Sequence, residues 1–129
     1  MDEQAAKKIL IAEDEIDLRE ALETVLSDEG YEVLCVSDGE EAFNAYQTKS
    51  PDLLILDLNM PKKGGMEVLR EIRSDQSDNH TPIVILTASV DLDHIADATA
   101  IGGMKTDFLS KADKSLAQIV EHIGQRLGG

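Results

Sequence analysis

The chain has one cysteine, no tryptophan, and only two phenylalanines and two tyrosines among its 129 residues. A lone Cys35 cannot form an internal disulfide, and its position in an apolar run predicts a buried, inert thiol. With so few aromatic residues, the core has to be built from aliphatic side chains and methionine. The length suits a single core, so we expect one domain over residues 1–129.

Long apolar runs and an excess of positive charge are also absent. No stretch approaches the length that spans a bilayer and no basic, apolar leader opens the chain, which predicts a cytoplasmic protein without membrane insertion. The 26 acidic and 12 basic residues give a formal net charge of −14, which argues against binding of nucleic acid or anionic lipid by this chain itself. Cations and proteins with basic surfaces are the expected partners.

The most informative stretch is an apolar run that ends in an acid, residues 53–57 (LLILD). Turn signals on both sides predict an interior strand that is covered on both faces. Ligands of open α/β sheets bind beyond the carboxyl ends of the strands, so Asp57 is placed for chemistry. The alternative is that Asp57 only caps the next turn.

Strands are predicted over residues 7–12, 31–36, 53–57, 82–87 and 107–110, with apolar residues at helical spacing after each. Asp17 or its neighbours can cap the first helix, residues 37–39 supply a cap for the second, and Asp113 can cap the last. Five strands alternating with five helices predict an α/β fold with a doubly wound, five-stranded parallel sheet. The flavodoxin-like strand order 2-1-3-4-5 would place the first and third strands side by side.

Chemically useful side chains follow four of these strands at one edge of the sheet. Glu13 and Asp14 follow the first strand, Asp57 ends the third, Thr87 ends the fourth and Lys111 follows the fifth. Three neighbouring carboxylates repel one another and call for a cation. Hard oxygen ligands in an open site suit Mg²⁺, which is usually held by one or two carboxylates.

These side chains can together receive a phosphoryl group. Asp57 can act as the nucleophile and form an acyl phosphate, while Mg²⁺, the ammonium of Lys111, and the Thr87 hydroxyl with a backbone N–H each hold one equatorial oxygen. Taken singly, the residues have ordinary interpretations. The Glu13-Asp14 pair could favour a helix dipole, Thr87 could simply end a strand, and Lys111 could be solvated. Their shared edge favours the site.

Four blocks of the sequence resemble the signature of response-regulator receiver domains of two-component signalling. They are Glu13-Asp14, residues 54–61 (LILDLNMP) with Gly65, residues 85–88 (ILTA) and residues 108–111 (FLSK). The ordered set covers essentially the whole chain. The resemblance implies that Asp57 accepts phosphate from a histidine kinase or a histidine phosphotransfer protein, so that the chain is a phosphoacceptor switch and not an enzyme acting on other substrates.

The resemblance also implies a metal site. Asp14, Asp57 and the backbone carbonyl of Asn59 would bind Mg²⁺ directly, while Glu13 would act mainly through water.

Further residues resemble the family's switch. Thr87 and Phe108 resemble the hydroxyl and aromatic pair that rearranges on phosphorylation, while Lys111 and the backbone N–H of Ala88 would contact the phosphate. A downstream protein would bind the face formed by the fourth and fifth predicted helices and the fifth strand. The molecule would be a monomer or a phosphorylation-dependent dimer.

Two departures from the family pattern concern the output side. Ala112 follows Lys111 where the family usually has a proline after a cis bond, and a cis bond before a non-proline residue costs about 2.5–4 kcal/mol, which favours a trans bond and a reshaped loop. The spacing from Thr87 to Lys111, 111 − 87 = 24 residues, is slightly longer than usual, with the extra length around residues 102–106.

Two other functions are compatible with the sequence. A receiver-like module could bind a partner without cycling phosphate, which the missing proline and longer loop would allow. An aspartate-nucleophile phosphohydrolase of the haloacid dehalogenase kind would share the metal, aspartate and lysine. Such enzymes place a second acid two residues after the nucleophile, where this chain has Asn59.

Overall fold

A computed structural model of the chain describes residues 6–58, 60, 62–74, 81–87, 106–111 and 114–127, with the Thr87 side chain excepted. The strands are β1 Lys8–Ala12, β2 Glu32–Val36, β3 Leu53–Asp57, β4 Ile83–Thr87 and β5 Thr106–Ser110. The helices in these ranges are α1 Ile16–Asp28, α2 Gly39–Lys49, α3 Gly65–Ser74 and α4 Leu116–Arg126, the last being the fifth predicted helix. The predicted fourth helix lies outside the described residues, as do Asn59, Ala88, Ala112 and residues 102–105.

The five strands form one parallel sheet in the order β2-β1-β3-β4-β5, which confirms the predicted fold class and strand order. The register levels the carboxyl ends of neighbouring strands. Ala12 lies opposite Leu56 and Asp57 lies opposite Leu86. Glu13, the next residue after β1, therefore comes level with Asp57, and its N–H extends the ladder by donating to the Val36 carbonyl at 3.2 Å.

Side chains of the sheet alternate between two apolar cores because successive strand residues point to opposite faces. One core lies between the sheet and the helices α2 and α3, and the other lies between the sheet and the helices α1 and α4. Every residue of β3 is buried, as expected for an interior strand with helices on both faces. Within the described ranges, no helix has both the length and the apolarity to cross a bilayer.

The last helix begins at a residue other than the predicted cap, and the first begins at a neighbour of Asp17. Helix α4 is capped by Ser115, not by Asp113: the Ser115 hydroxyl accepts from the Gln118 N–H at 3.2 Å, and the Gln118 side chain accepts from the Ser115 N–H at 2.8 Å. This reciprocal capping box satisfies two backbone donors at once. Helix α1 starts after Glu15, with Asp17 already inside its first turn. The Glu15 side chain makes no cap hydrogen bond, and its N–H donates to Glu13 Oε2 at 3.1 Å.

Cys35 lies half-buried on the edge strand β2. The pKa of its thiol is raised to about 11, mainly by burial and also by the negative charge of Glu23, while the positive charge of Arg19 opposes the shift. Because the thiolate is the reactive form, a thiol with so high a pKa is unreactive at neutral pH. Cys35 is thus less buried than predicted, while its raised pKa agrees with the predicted inert thiol.

An ionic cluster joins β5 to the last two turns of α4. Both Nε and Nη2 of Arg126 donate to the carboxylate of Asp107, and His122 Nε2 lies 2.9 Å from Asp107 Oδ2. The hydrogen bonds from Arg126 lower the pKa of Asp107, outweighing the opposite effect of burial, and His122 adds to the lowering. The cluster therefore fixes the C-terminal half of α4 only while Asp107 is ionised.

Replacing Asp107 by asparagine is expected to lower the free energy of unfolding at pH 7 by about 1.5–3 kcal/mol, the range for hydrogen bonds to charged groups. A carboxylate whose pKa is depressed in the folded state stabilises above its unfolded pKa, near 3.9 for aspartate, and this contribution disappears as pH falls through the folded value. The difference between wild type and Asp107→Asn in urea unfolding should thus shrink below about pH 4. Asp28→Asn, at an exposed helix end, serves as the control; equal stability of Asp107→Asn and wild type at pH 7 would contradict this account.

Candidate functional site

Three carboxylates meet at the carboxyl edge of the sheet, where β1 and β3 end side by side. Glu13 is fully buried and Asp57 is 2% exposed, whereas Asp14 is exposed. One oxygen from each can be chosen so that all three lie within 4.8 Å of one another. The backbone at Glu13 is fixed on both sides, since its N–H extends the sheet ladder and its carbonyl accepts from Arg19 Nη1 at 3.0 Å.

The ammonium group of Lys111 lies among these carboxylates. Its Nζ is 3.0 Å from each oxygen of Glu13, 3.6 Å from Asp57 Oδ2 and 3.8 Å from Glu15 Oε1. Burial alone would lower the pKa of Lys111, but the hydrogen bond and charge of Glu13, helped by Asp57 and Glu15, raise it above its ordinary value. Lys111 is therefore a permanent cation at neutral pH.

The donor set fits a hard divalent cation. Four carboxylates, from Glu13, Asp14, Glu15 and Asp57, face a single ammonium group, so the described part of the site keeps an excess of negative charge. Glu13 Oε1 is buried and accepts no hydrogen bond of good geometry from the described residues, although Lys111 Nζ lies 3.0 Å away. Carboxylate oxygens that are close together and partly open to solvent are the ligands that Mg²⁺ uses in proteins.

The other predicted site residues are placed only in part. The backbone of Thr87 ends β4, and Phe108 is half-buried and packs against the core beneath α2 and α3. The Thr87 side chain, Asn59 and Ala88 lie outside the described residues. Glu15 lies next to Lys111 but was not among the predicted site residues; its place in the acidic run 13–15 was the signal for it.

Helix α3 begins against the end of β3 that carries Asp57. A Cβ added to Gly65 would overlap the carbonyl oxygen of Asp57 and lie 2.8 Å from the Cα of Leu58. The Gly65 N–H also donates to the Leu58 carbonyl at 3.1 Å. Glycine is needed at this position because the two backbones touch, which ties the start of α3 directly to the residue at the centre of the site.

Comparison with protein families shows the family to which this chain belongs. The family model described as "Response regulator receiver domain" matches residues 9–123. The chain belongs to the response regulator receiver domain family. Receiver domains are regulatory switches of two-component systems that interact with histidine kinases and downstream effectors, and they typically bind Mg²⁺. The match confirms the resemblance seen in the sequence, while the extension of the receiver domain over residues 1–129 stays a prediction.

Relatives and solved structures agree with this assignment. The probable transcriptional regulator ycf27 of Guillardia theta is 46% identical over 92 residues, which cover 71% of this chain and 35% of that protein. The chemotaxis protein CheY4 of Vibrio cholerae has a TM-score of 0.83 and 30% identity, with 94% of this chain and 98% of that chain covered. The phosphorylated cyanobacterial phytochrome response regulator RcpA has a TM-score of 0.79 and 34% identity, with 94% and 93% covered. This receiver chain spans about a third of the length of the curated relatives it matches.

Proposed function

We propose that Asp57 is the phosphoacceptor of this receiver domain and takes a phosphoryl group from a histidine kinase or a histidine phosphotransfer protein. The observation that carries the proposal is the position of the Asp57 carboxylate, which lies at a strand end within one cluster with Glu13 and Asp14 and 3.6 Å from Lys111 Nζ. A nucleophilic carboxylate with a cation beside it is what phosphoryl transfer requires, because catalysis is mostly positioning and charge neutralisation.

The transfer step exchanges one phosphorus bond for another. A carboxylate oxygen of Asp57 attacks the phosphorus of a phosphohistidine, the P–N bond breaks, and the imidazole leaves with the bonding electrons and takes up a proton. Lys111 turns from Glu13 toward a phosphoryl oxygen, whose negative charge takes the place of the Glu13 carboxylate as the partner of the ammonium group. The Thr87 hydroxyl and the Ala88 N–H hold another oxygen.

A bound Mg²⁺ would neutralise charge on the transferring group, and the chain's own acids would hold it. Asp14 and Asp57 would be direct ligands together with the backbone carbonyl of Asn59, while Glu13 would act mainly through water. Glu13 also has a second task in this proposal, since it anchors Lys111 at 3.0 Å in the unphosphorylated protein. The same buried acid would thus contribute to the metal site and hold the Lys111 side chain in place before phosphorylation.

Phosphorylation would change the structure on the side of the sheet that carries β5. Drawing the Thr87 hydroxyl to the phosphate would let Phe108 move inward, which would change the face formed by the predicted fourth helix, β5 and α4. A downstream protein would bind that face in one state, with the chain as a monomer or as a phosphorylation-dependent dimer. The ycf27 relatives are described as probable transcriptional regulators, so in a longer protein this face could control a separate DNA-binding domain.

Incubation with acetyl phosphate and Mg²⁺ is expected to add the mass of one phosphoryl group, which hydroxylamine then removes because it cleaves acyl phosphates. Asp57→Asn should lose the label completely, since an amide cannot be the nucleophile, and excess EDTA should suppress it in wild type. Asp28→Asn, exposed at the end of α1, is the matched control and should label normally. Absence of label in wild type, or full labelling of Asp57→Asn, would refute the proposal; the first result would favour a module that only docks a partner.

A further inference from the structure

Gly39, the first residue of α2, is buried against the end of the loop that connects β3 to α3. A Cβ on Gly39 would overlap the carbonyl oxygen of Lys63 and lie 2.6 Å from its carbonyl carbon. Real side chains essentially never approach backbone so closely. The φ angle of Gly39 is outside the left-handed region, so glycine is needed here for space and not for its backbone freedom.

The contact at Gly39 continues into the site. Lys63 is two residues before Gly65, and Gly65 in turn touches the carbonyl of Asp57 so closely that no side chain would fit. Two glycines therefore bring three backbones together: the first turn of α2, the end of the loop, and the strand end that carries Asp57. The closest atoms in both contacts belong to backbone, which has less freedom to move aside than the end of a flexible side chain.

Side chains hold the same loop in place from two directions. Lys63 Nζ donates to Glu71 Oε1 at 2.7 Å and lies 5.3 Å from the centroid of the Phe43 ring, which connects the loop to α3 and to α2. Lys62 Nζ lies 3.6 Å from Asp38 Oδ2, and Asp38 caps α2 by accepting from the Glu41 N–H at 2.8 Å.

The backbone at Lys62 is also under strain. Lys62 has a φ of 68°, a conformation that costs a non-glycine residue free energy and persists only where its surroundings impose it. The contacts that Lys62 and Lys63 make with α2 and α3 supply that constraint at the end of the loop.

We propose that Gly39 is a positioning residue for the acidic cluster: through Lys63 and Gly65 it sets the position of Asp57 relative to Asp14 and Glu13. The inference rests on the proposed function, because it assumes that these acids hold Mg²⁺. Mg²⁺ demands near-ideal octahedral geometry with short bonds, so a shift of a few tenths of an ångström that the apolar core tolerates is enough to weaken its binding.

The test compares Gly39→Ala with Gly64→Ala by calorimetric titration with MgCl₂, alongside thermal unfolding in EDTA. Among the described residues, a Cβ on Gly64 would meet only Leu58 O at 3.7 Å, an ordinary contact, so this variant makes the same chemical change in the same loop without an overlap with any of them. We expect Gly39→Ala to raise the dissociation constant for Mg²⁺ by about 10- to 100-fold, the range for changes to residues that support metal ligands. Gly64→Ala should leave the constant unchanged.

The outcomes separate the inference from the proposed function. No Mg²⁺ binding by wild type would remove the proposed metal site itself. Wild-type affinity in a folded Gly39→Ala would overturn only the inference. If Gly39→Ala does not fold, Mg²⁺ binding by Lys63→Met tests the inference, with Lys49→Met as the control. Loss of the positive charge of Lys63 should by itself tighten Mg²⁺ binding, because it removes a Coulomb repulsion. Loss of the contacts by which Lys63 anchors the loop should weaken Mg²⁺ binding. Tighter or equal binding by Lys63→Met would then overturn the inference.

Discussion

Replacing Lys111 by methionine is expected to lower the free energy of unfolding by about 3–5 kcal/mol in EDTA at neutral pH, the range for removing one partner of a buried ion pair. Methionine fills similar space but leaves the fully buried Glu13 carboxylate without the ammonium that lies 3.0 Å from both its oxygens. The Asp57 carboxylate loses its nearby cation as well. Urea unfolding monitored by circular dichroism measures the change.

Mg²⁺ should restore much of the stability that Lys111→Met loses. A cation held by the acidic cluster binds the folded state only, and at a concentration 100 times its dissociation constant it adds about 2.7 kcal/mol. The variant should therefore gain more from Mg²⁺ than wild type does, because its acids lack an internal counter-ion. The exposed Lys114→Met is the control and should match wild type. If Lys111→Met is as stable as wild type in EDTA, the ammonium does not stabilise Glu13.

The dependence of the free energy of unfolding on pH at alkaline values should also reflect the contact between Lys111 and Glu13. A lysine whose pKa is raised in the folded protein stabilises fully below its unfolded pKa, near 10.4, and the contribution disappears as pH rises through the higher folded value. Wild type should consequently lose stability above about pH 10.4 more steeply than Lys111→Met. If wild type and Lys111→Met lose stability equally steeply with pH, deprotonation of Lys111 does not cause the loss.

Leu56→Ala is expected to cost about 2–5 kcal/mol, the range for removing a buried leucine side chain from a core that cannot collapse. Leu56 is fully buried in the core beneath α2 and α3, between Ala12 on β1 and Ile85 on β4. Its neighbours belong to three hydrogen-bonded strands, so they cannot move inward to fill the space. Equilibrium unfolding in urea gives the difference directly.

The control for this prediction is Leu56→Met, which keeps the volume and should cost less than about 1.5 kcal/mol. Because Leu56 directly precedes Asp57, phosphorylation of folded Leu56→Ala by acetyl phosphate should be measured too. We expect it to persist, since the sheet hydrogen bonds that fix the Asp57 backbone remain. A loss below about 1 kcal/mol for Leu56→Ala would show that the core relaxes around the cavity.

The sequence was sufficient for the strands and for their common edge. The apolar run 53–57 predicted an interior strand, and β3 is buried at every residue. Glu13 lies beside Asp57 because β1 and β3 are parallel neighbours, and the strand order predicted that pairing. These features depend on local patterns and on general rules of sheet topology, which a single sequence contains.

Contacts between distant residues were not predictable in this way. Lys111 and Glu13 are 98 positions apart, and no local pattern shows that the lysine contacts Glu13 more closely than Asp57. The steric need for Gly39 depends on how the loop packs on α2, so the sequence alone indicates only that Gly39 belongs to a helix cap. The cap at Ser115, in contrast, had a visible signal, because a serine followed three residues later by glutamine matches the capping-box pattern.

Four strands that lead to the site, β1, β3, β4 and β5, have the same length of five residues each. Each residue of a strand advances the chain by about 3.3 Å and turns the next side chain to the opposite face. One residue inserted into β3 would thus carry the acid away from its neighbours or point it into the wrong core. The position of Asp57 among the other acids therefore depends on the number of residues in β3 as well as on their side chains.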